Sequence, residues 1–333
     1  MEITLFSPLD MHLHLREGDM LKAITLPSIN DFASAVVMPN LRDPVDTLEK
    51  VQTYRKQIES LVSEHAFEPL MTVFFRSFSR QELIALKSHI FAVKLYPAGV
   101  TTQSEKGISD FSAIEPTLEI LQELKIPLLV HGETNGFVLD REKEFLPMVE
   151  RMAQNFKDLR IVMEHISTRD SLRVLERYEN IFATVTVQHL LFTLDDLAGG
   201  LLQPHLFCKP IVKRPADRQA LLDAVLAGHP KIMFGSDSAP HPLDKKEAPG
   251  CAAGCFTAPI ALPVLAELFE RHEAMSRLQD FISGHAQTIH GLEPLPKPVR
   301  LKKEPYKVPQ TFGSVVPLLA GHTLSWRVSS RGD

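Results

Sequence analysis

Residues 126–165 read IPLLVHGETNGFVLDREKEFLPMVERMAQNFKDLRIVMEH and set out one complete structural unit. Two short apolar runs, Pro127–His131 and Arg160–His165, flank a segment whose apolar residues recur at helical spacing over Phe145–Phe156. Neither run alternates apolar with polar residues, which is the pattern of a strand covered on both faces. A strand, a helix and a second such strand make a βαβ unit with parallel strands.

The same alternation extends in both directions. Strands are predicted at Ile3–Leu15, Ser34–Asn40, Leu70–Phe75 and Ala92–Tyr96 on one side, and at Ile181–Gln188 and Lys231–Asp237 on the other. Helical patterns at Leu48–Glu64, Arg80–Lys87, Ile114–Leu124, Ser171–Tyr178 and Arg218–Ala227 lie between them. Eight strands with intervening helices over roughly 250 residues predict an α/β fold, a (β/α)8 TIM barrel. An open doubly wound sheet is the alternative, but no G-x-G-x-x-G follows the first strand. Residues 1–333 are expected to form one barrel domain, with 293–333 a C-terminal extension packing on it. Within that extension Glu293–Pro309, rich in Pro and Lys, reads as an extended connector, and SVVPLLAGHTLSW returns to the barrel.

Composition narrows the function. The chain is 44% hydrophobic, enough for a full core, and 36 basic against 41 acidic residues give a net charge of -5. No basic excess points to nucleic acid or an anionic membrane as partner. The opening MEITLFSPLD lacks a basic region and a long apolar stretch, so no signal peptide is read there. No run reaches the ~18 apolar residues of a spanning helix, and a cytoplasmic location is expected. Three cysteines do not make a disulfide framework. Cys251 and Cys255 lack a second Cys or His pair at structural-zinc spacing, and Cys208 reads as a small buried residue. Arg300, Lys302 and Lys303 read as a solvated basic face, and the Arg331-Gly332-Asp333 tripeptide as a chance match to an adhesion motif.

The unusual polar residues fall at strand ends. In Asp10-Met11-His12-Leu13-His14-Leu15-Arg16, alternation puts Asp10, His12, His14 and Arg16 on one strand face. Lys94 ends AVKLYP, His131 ends PLLVH, His165 ends IVMEH, and Asp237 ends IMFGSD. In a barrel these positions converge on the C-terminal rim, where barrel active sites lie. A lone histidine at a strand end is ordinarily a satisfied polar residue, and a lone Asp237 a helix cap. Two imidazoles on one strand face point instead to a metal, and five sites on one rim strengthen that reading. His189, in VTVQHLL, is read as structural or supporting.

Lysine is an odd metal ligand, because holding it neutral at pH 7 costs about 4–5 kcal/mol. Carboxylation of Lys94 by carbon dioxide removes that difficulty and supplies two anionic oxygens. Two divalent ions are then nearly balanced by the lysine carbamate, Asp237 and a hydroxide, with four neutral histidines completing the set.

At these residues the sequence resembles the amidohydrolase superfamily, the metal-dependent hydrolase type of barrel, and within it the dihydroorotases of the short, bacterial type. The resemblance is carried by DMHLHLREGDML, VVMPNLRDP, VKLYPAGVTTQSEKGI, VHGE, VMEHIST, TVQHLL, CKPIVKRPADRQAL, FGSDSAPH, KEAPGCAAGCFTAP and VPLLAGHTLSW, in order from residue 10 to residue 326. It implies reversible, zinc-dependent cyclisation of N-carbamoyl-L-aspartate to L-dihydroorotate in pyrimidine synthesis. It also implies two Zn2+ per subunit bridged by carboxylated Lys94 and a hydroxide. His12, His14, Lys94 and Asp237 would hold one ion, and Lys94, His131 and His165 the other. Asp237 would serve as general base and acid. Arg16, Asn40 and His241 would grip the substrate carboxylate, Thr101 and Thr102 would lie on a closing loop, and the backbone near Lys209 and Ala253 would read the ring amides. His131 would also border the substrate. A homodimer is implied as well. Gln103 stands where Asn is usual and Lys209 where an apolar residue is usual. A hydantoinase would share the metal set but lack the carboxylate grip, and an inactive homologue would have lost ligands that are all present here.

Overall fold

The computed structural model describes residues 1–332, so Asp333 of the terminal tripeptide lies outside the described residues. Eight parallel strands run in sequence order around a barrel. They are β2 (Leu9–Leu13), β3 (Ser34–Val37), β4 (Glu68–Phe74), β5 (Ala92–Leu95), β6 (Leu128–Val130), β7 (Ile161–Met163), β8 (Ile181–Val185) and β9 (Ile232–Phe234). The ring closes where the His14 amide donates to the Ser238 carbonyl (3.1 Å) and the Asp237 amide to the His12 carbonyl (2.9 Å). A long helix follows each strand: α1 (Gly18–Ile29), α2 (Leu48–Val62), α3 (Arg80–Lys87), α4 (Glu115–Leu124), α5 (Arg141–Asn155), α6 (Arg169–Arg177), α7 (Pro215–Leu226) and α8 (Ala261–Arg271). The fold is the (β/α)8 barrel that the alternation predicts.

The barrel interior is layered. Ala92, Leu129 and Met233 pack with Leu9, Met11, Val36, Met38 and Val162 in one apolar cluster. Lys94 and His131 stand two residues further along their strands and share the face of Ala92 and Leu129. Ala286 and Ile289, from the helical segment His285–His290, join the apolar layer. The polar layer therefore rests on a dry floor.

Three local expectations are corrected. Ile3–Leu15 is two strands, because Ser7 takes a left-handed conformation (φ 44°) before Pro8. The first part, β1 (Glu2–Phe6), pairs antiparallel with β10 (Pro298–Lys307), and β10 pairs with β11 (Thr323–Arg331). The supposed connector Glu293–Pro309 thus contains the central strand of a three-stranded sheet. Val299 and Leu301 are buried, whereas Arg300, Lys302 and Lys303 point outward. Trp326 of β11 is fully buried, and its indole donates to Glu270 of α8 at 3.0 Å, tying the sheet to the barrel. The strand expected at Ile181–Gln188 ends at Val185, where Thr186 accepts from the His189 amide (3.1 Å) and starts a short helix, Val187–Leu191. Among the described residues no helix is long and apolar enough to cross a membrane.

Candidate metal centre

His12 on the first barrel strand, His14 just past its end and Asp237 just past the last strand meet where the ring closes. His12 Nε2 lies 3.3 Å from His14 Nε2, and Asp237 Oδ1 lies 3.4 Å and 3.2 Å from those two nitrogens. The three ligand atoms fall within 4.8 Å of one another, the arrangement that can hold a metal ion. Burial lowers the His14 pKa to about 3, further lowered by the Arg16 charge and only partly countered by the Asp237 hydrogen bond, so the ring is neutral. Burial alone would raise Asp237, but the His14 hydrogen bond and the surrounding imidazoles bring it below its ordinary value. Asp237 itself is held in a left-handed conformation (φ 44°).

A second group forms at the ends of β6 and β7. His131 Nδ1 faces His165 Nε2 at 3.1 Å, while His131 Nε2 meets Glu133 Oε2 at 2.9 Å. His165 also has a left-handed backbone (φ 42°), a strained position of the kind that gathers at functional sites. Burial lowers its pKa well below the ordinary value. Lys94 is fully buried, and its Nζ has no hydrogen-bond partner. Burial lowers its pKa to about 8, against the raising effect of Glu164 and Asp237. Its Nζ lies 4.9 Å from the centre of the Tyr96 ring.

Above these groups the remaining expected residues form a connected rim. Arg16 donates to the Pro240 carbonyl and lies against His241 Nε2, both at 3.0 Å. His241 Nε2 in turn meets the Ala253 carbonyl at 3.0 Å, and Thr102 Oγ1 donates to that carbonyl at 3.4 Å. The Asn40 amide donates to the Thr102 carbonyl at 3.0 Å, and its own oxygen accepts from the Tyr96 hydroxyl at 3.0 Å. Thr101 is held by reciprocal bonds with Ser104, so both threonines sit on a loop docked over the rim. Lys209 and Ala253 lie on adjoining segments joined by the Gly254 amide and the Phe207 carbonyl (2.8 Å). Arg16 does not reach the rim by strand alternation: β2 ends at Leu13, and Arg16 has a left-handed backbone (φ 59°).

Other buried polar groups lie around the site. Asp10 accepts from the Ser236 amide (2.8 Å) and hydroxyl (2.5 Å), fixing the approach to Asp237 instead of facing the metal group. Glu164 accepts from His12 Nδ1 and from the Thr184 hydroxyl (3.0 Å). Glu142 of α5 takes the Ser167 and Thr168 amides (2.8 and 2.9 Å) and the hydroxyls of Ser167, Thr168 and Ser171. The partners of Glu164 and Glu142 lie far along the chain, so no local pattern marks either acid. His189 contacts Thr186 and the Pro210 carbonyl.

The class of protein follows from this barrel and a sequence comparison together: residues 80–275 match the family described as amidohydrolase. A dihydroorotase of Helicobacter hepaticus is 48% identical over 336 residues, covering 98% of this chain and 97% of that one. The crystal structure of dihydroorotase from Campylobacter jejuni superposes with a TM-score of 0.95 at 46% identity, covering 99% and 98% of the two chains. A dihydroorotase of Saccharomyces cerevisiae, solved in complex with 5-fluoroorotic acid, gives a TM-score of 0.92 at 34% identity, with 98% of each chain covered. The chain belongs to the dihydroorotase family, enzymes of pyrimidine biosynthesis.

Proposed function

We propose that this enzyme interconverts N-carbamoyl-L-aspartate and L-dihydroorotate at a two-zinc centre. His12, His14 and Asp237 would hold one ion, His131 and His165 the other, and Lys94, as its N6-carboxy derivative, would bridge them. The observation that carries the reading is the pair of facing groups around Lys94. Two imidazole nitrogens 3.3 Å apart beside a carboxylate, and two more 3.1 Å apart, can each turn a lone pair toward its neighbour. Such lone pairs need protons or cations between them. The buried, unpartnered Lys94 amine, with a pKa of about 8, is partly neutral near pH 7. In that form it can attack carbon dioxide, forming an N–C bond and losing a proton. The donor set therefore fits two divalent ions. When bound, such ions lower the pKa of a water toward about 7 and polarise a carbonyl.

The chain's own residues supply the rest. The Asp237 carboxylate, kept ionised, takes the proton of the attacking water and returns it to the departing ring nitrogen. Arg16, with Asn40 and His241, grips the free carboxylate of the ring, a role that suits a planar guanidinium. The ring-carboxylate ligand named for the yeast relative supports that assignment. The docked Thr101–Thr102 loop excludes bulk water, and the backbone at Lys209 and Ala253 reads the ring amides. In the same reading the chain works as a cytoplasmic homodimer, with 293–333 an extension of one barrel domain.

Ring opening of L-dihydroorotate by purified protein, measured before and after chelation and after zinc is restored, tests the proposal. Loss and recovery of activity support it. An inactive, fully zinc-loaded enzyme would overturn the substrate assignment.

A further inference from the structure

Glu164 is fully buried at the end of β7, and its two identified partners are side chains from other strands. One is Nδ1 of His12 on β2. The other is the Thr184 hydroxyl on β8, which also accepts from the His165 amide at 2.7 Å. Proton bookkeeping fixes the directions. A threonine hydroxyl has one proton, and because its oxygen is an acceptor for His165, that proton goes to Glu164 Oε2. The same carboxylate oxygen faces His12 Nδ1, so the ring must bring its own proton there. The lone pair of His12 then sits on Nε2, the nitrogen directed at His14 and Asp237.

We infer that Glu164 is a positioning residue that sets the tautomer of His12 and, through Thr184, the place of His165. One carboxylate thereby registers a ligand from each half of the metal centre. The inference rests on the metal reading given above. The opposite tautomer has a competing partner: a proton on His12 Nε2 would find Asp237 Oδ1 at 3.4 Å and close the ligand position. Second-row hydrogen bonds of this kind orient metal-binding imidazoles generally. The neighbouring strand is built to permit the contact. A Cβ at Gly235 of the closing segment would lie 2.9 Å from Thr184 Cβ and 3.0 Å from His12 Cβ, so only glycine lets these strands approach.

Long-range 1H–15N spectra of histidine-labelled, metal-free protein report the His12 tautomer, and competition with a chromophoric chelator reports zinc affinity. In the parent, His12 should carry its proton on Nδ1. In Glu164→Leu it should shift toward Nε2–H, with zinc affinity falling about 10–100-fold and activity returning in excess zinc. Glu164→Gln, which keeps shape and one acceptor, should lose about tenfold and carries the test if the leucine variant does not fold. Thr184→Val should leave the His12 tautomer unchanged and weaken only the zinc assigned to His131 and His165. An Nδ1–H tautomer in Glu164→Leu, or parent-like zinc affinity in both Glu164 variants, would overturn the inference. A parent that binds no zinc would sink the metal reading instead, while the metal-free spectra still decide what Glu164 does.

Discussion

Replacing Glu142 by alanine removes a buried carboxylate that five donors share. The hydroxyls of Ser167, Thr168 and Ser171 can turn to other acceptors. The amides of Ser167 and Thr168, now held at 2.8 and 2.9 Å, cannot. A buried donor left without a partner costs about 1–3 kcal/mol, and part of that is offset because a charged group no longer has to be buried. A net loss of about 3 kcal/mol follows. Unfolding entropy scales with chain length, so in a protein of this size that loss lowers Tm by about 4 °C. Thermal unfolding followed by circular dichroism measures it. There is also a catalytic consequence, since Ser167 and Thr168 lie two and three residues after His165 along the chain. Loosening them should reduce kcat/KM for ring opening about tenfold, in the range seen when support for a metal ligand is removed. A variant that melts within a degree of the parent and turns over at the parental rate would refute the reasoning.

Arg16→Lys should raise KM for L-dihydroorotate at least about tenfold, because a single ammonium cannot span both Pro240 and His241; zinc content should stay the same, and metal loss would count against the carboxylate-grip role. Lys94→Ala should lower zinc per chain, with a short carboxylic acid partly restoring activity; unchanged zinc would show that the bridge lies elsewhere. Gly235→Ala should destabilise by about 1–3 kcal/mol through overpacking, read as a lower denaturant midpoint; a neutral outcome would mean that His12 and Thr184 can move apart. Cyclisation requires protonation of a carboxylate before its hydroxyl departs, so it should favour lower pH than hydrolysis. Identical pH–rate profiles in the two directions would contradict that step.

The metal-centre residues are readable because each lies at the end of a parallel strand, and a barrel gathers strand ends. His12, Lys94, His131, His165 and Asp237 all announce themselves this way. Arg16 reaches the same rim by another route. Strand alternation carries it there on paper, but β2 stops at Leu13, where hydrogen bonds to Ser238 from the far end of the sheet take over. Closure of the ring is a long-range event, invisible from residue 10 onward. The same limit hides Glu142 and Glu164, whose partners stand on other strands and helices. In β10 the alternation of Val299 and Leu301 with Arg300 and Lys302 was present, but Pro298 and Pro305 masked it, and the pairing is irregular between Lys303 and Tyr306. Ser7 shows a third limit: a single left-handed residue splits one apparent strand between two sheets.

Barrel closure also imposes an order of assembly. The segment bearing His12 and His14 emerges early in synthesis, whereas the segment bearing Asp237 arrives only after seven further barrel strands have been made. Until the Leu13–Ser238 bridge forms, the two histidines lack the carboxylate that completes their group. Contacts between such distant parts of a chain form slowly. A nascent or half-folded chain thus has a pair of histidines rather than the finished cage, and under the two-zinc proposal metal loading would be a late step that reports completed folding.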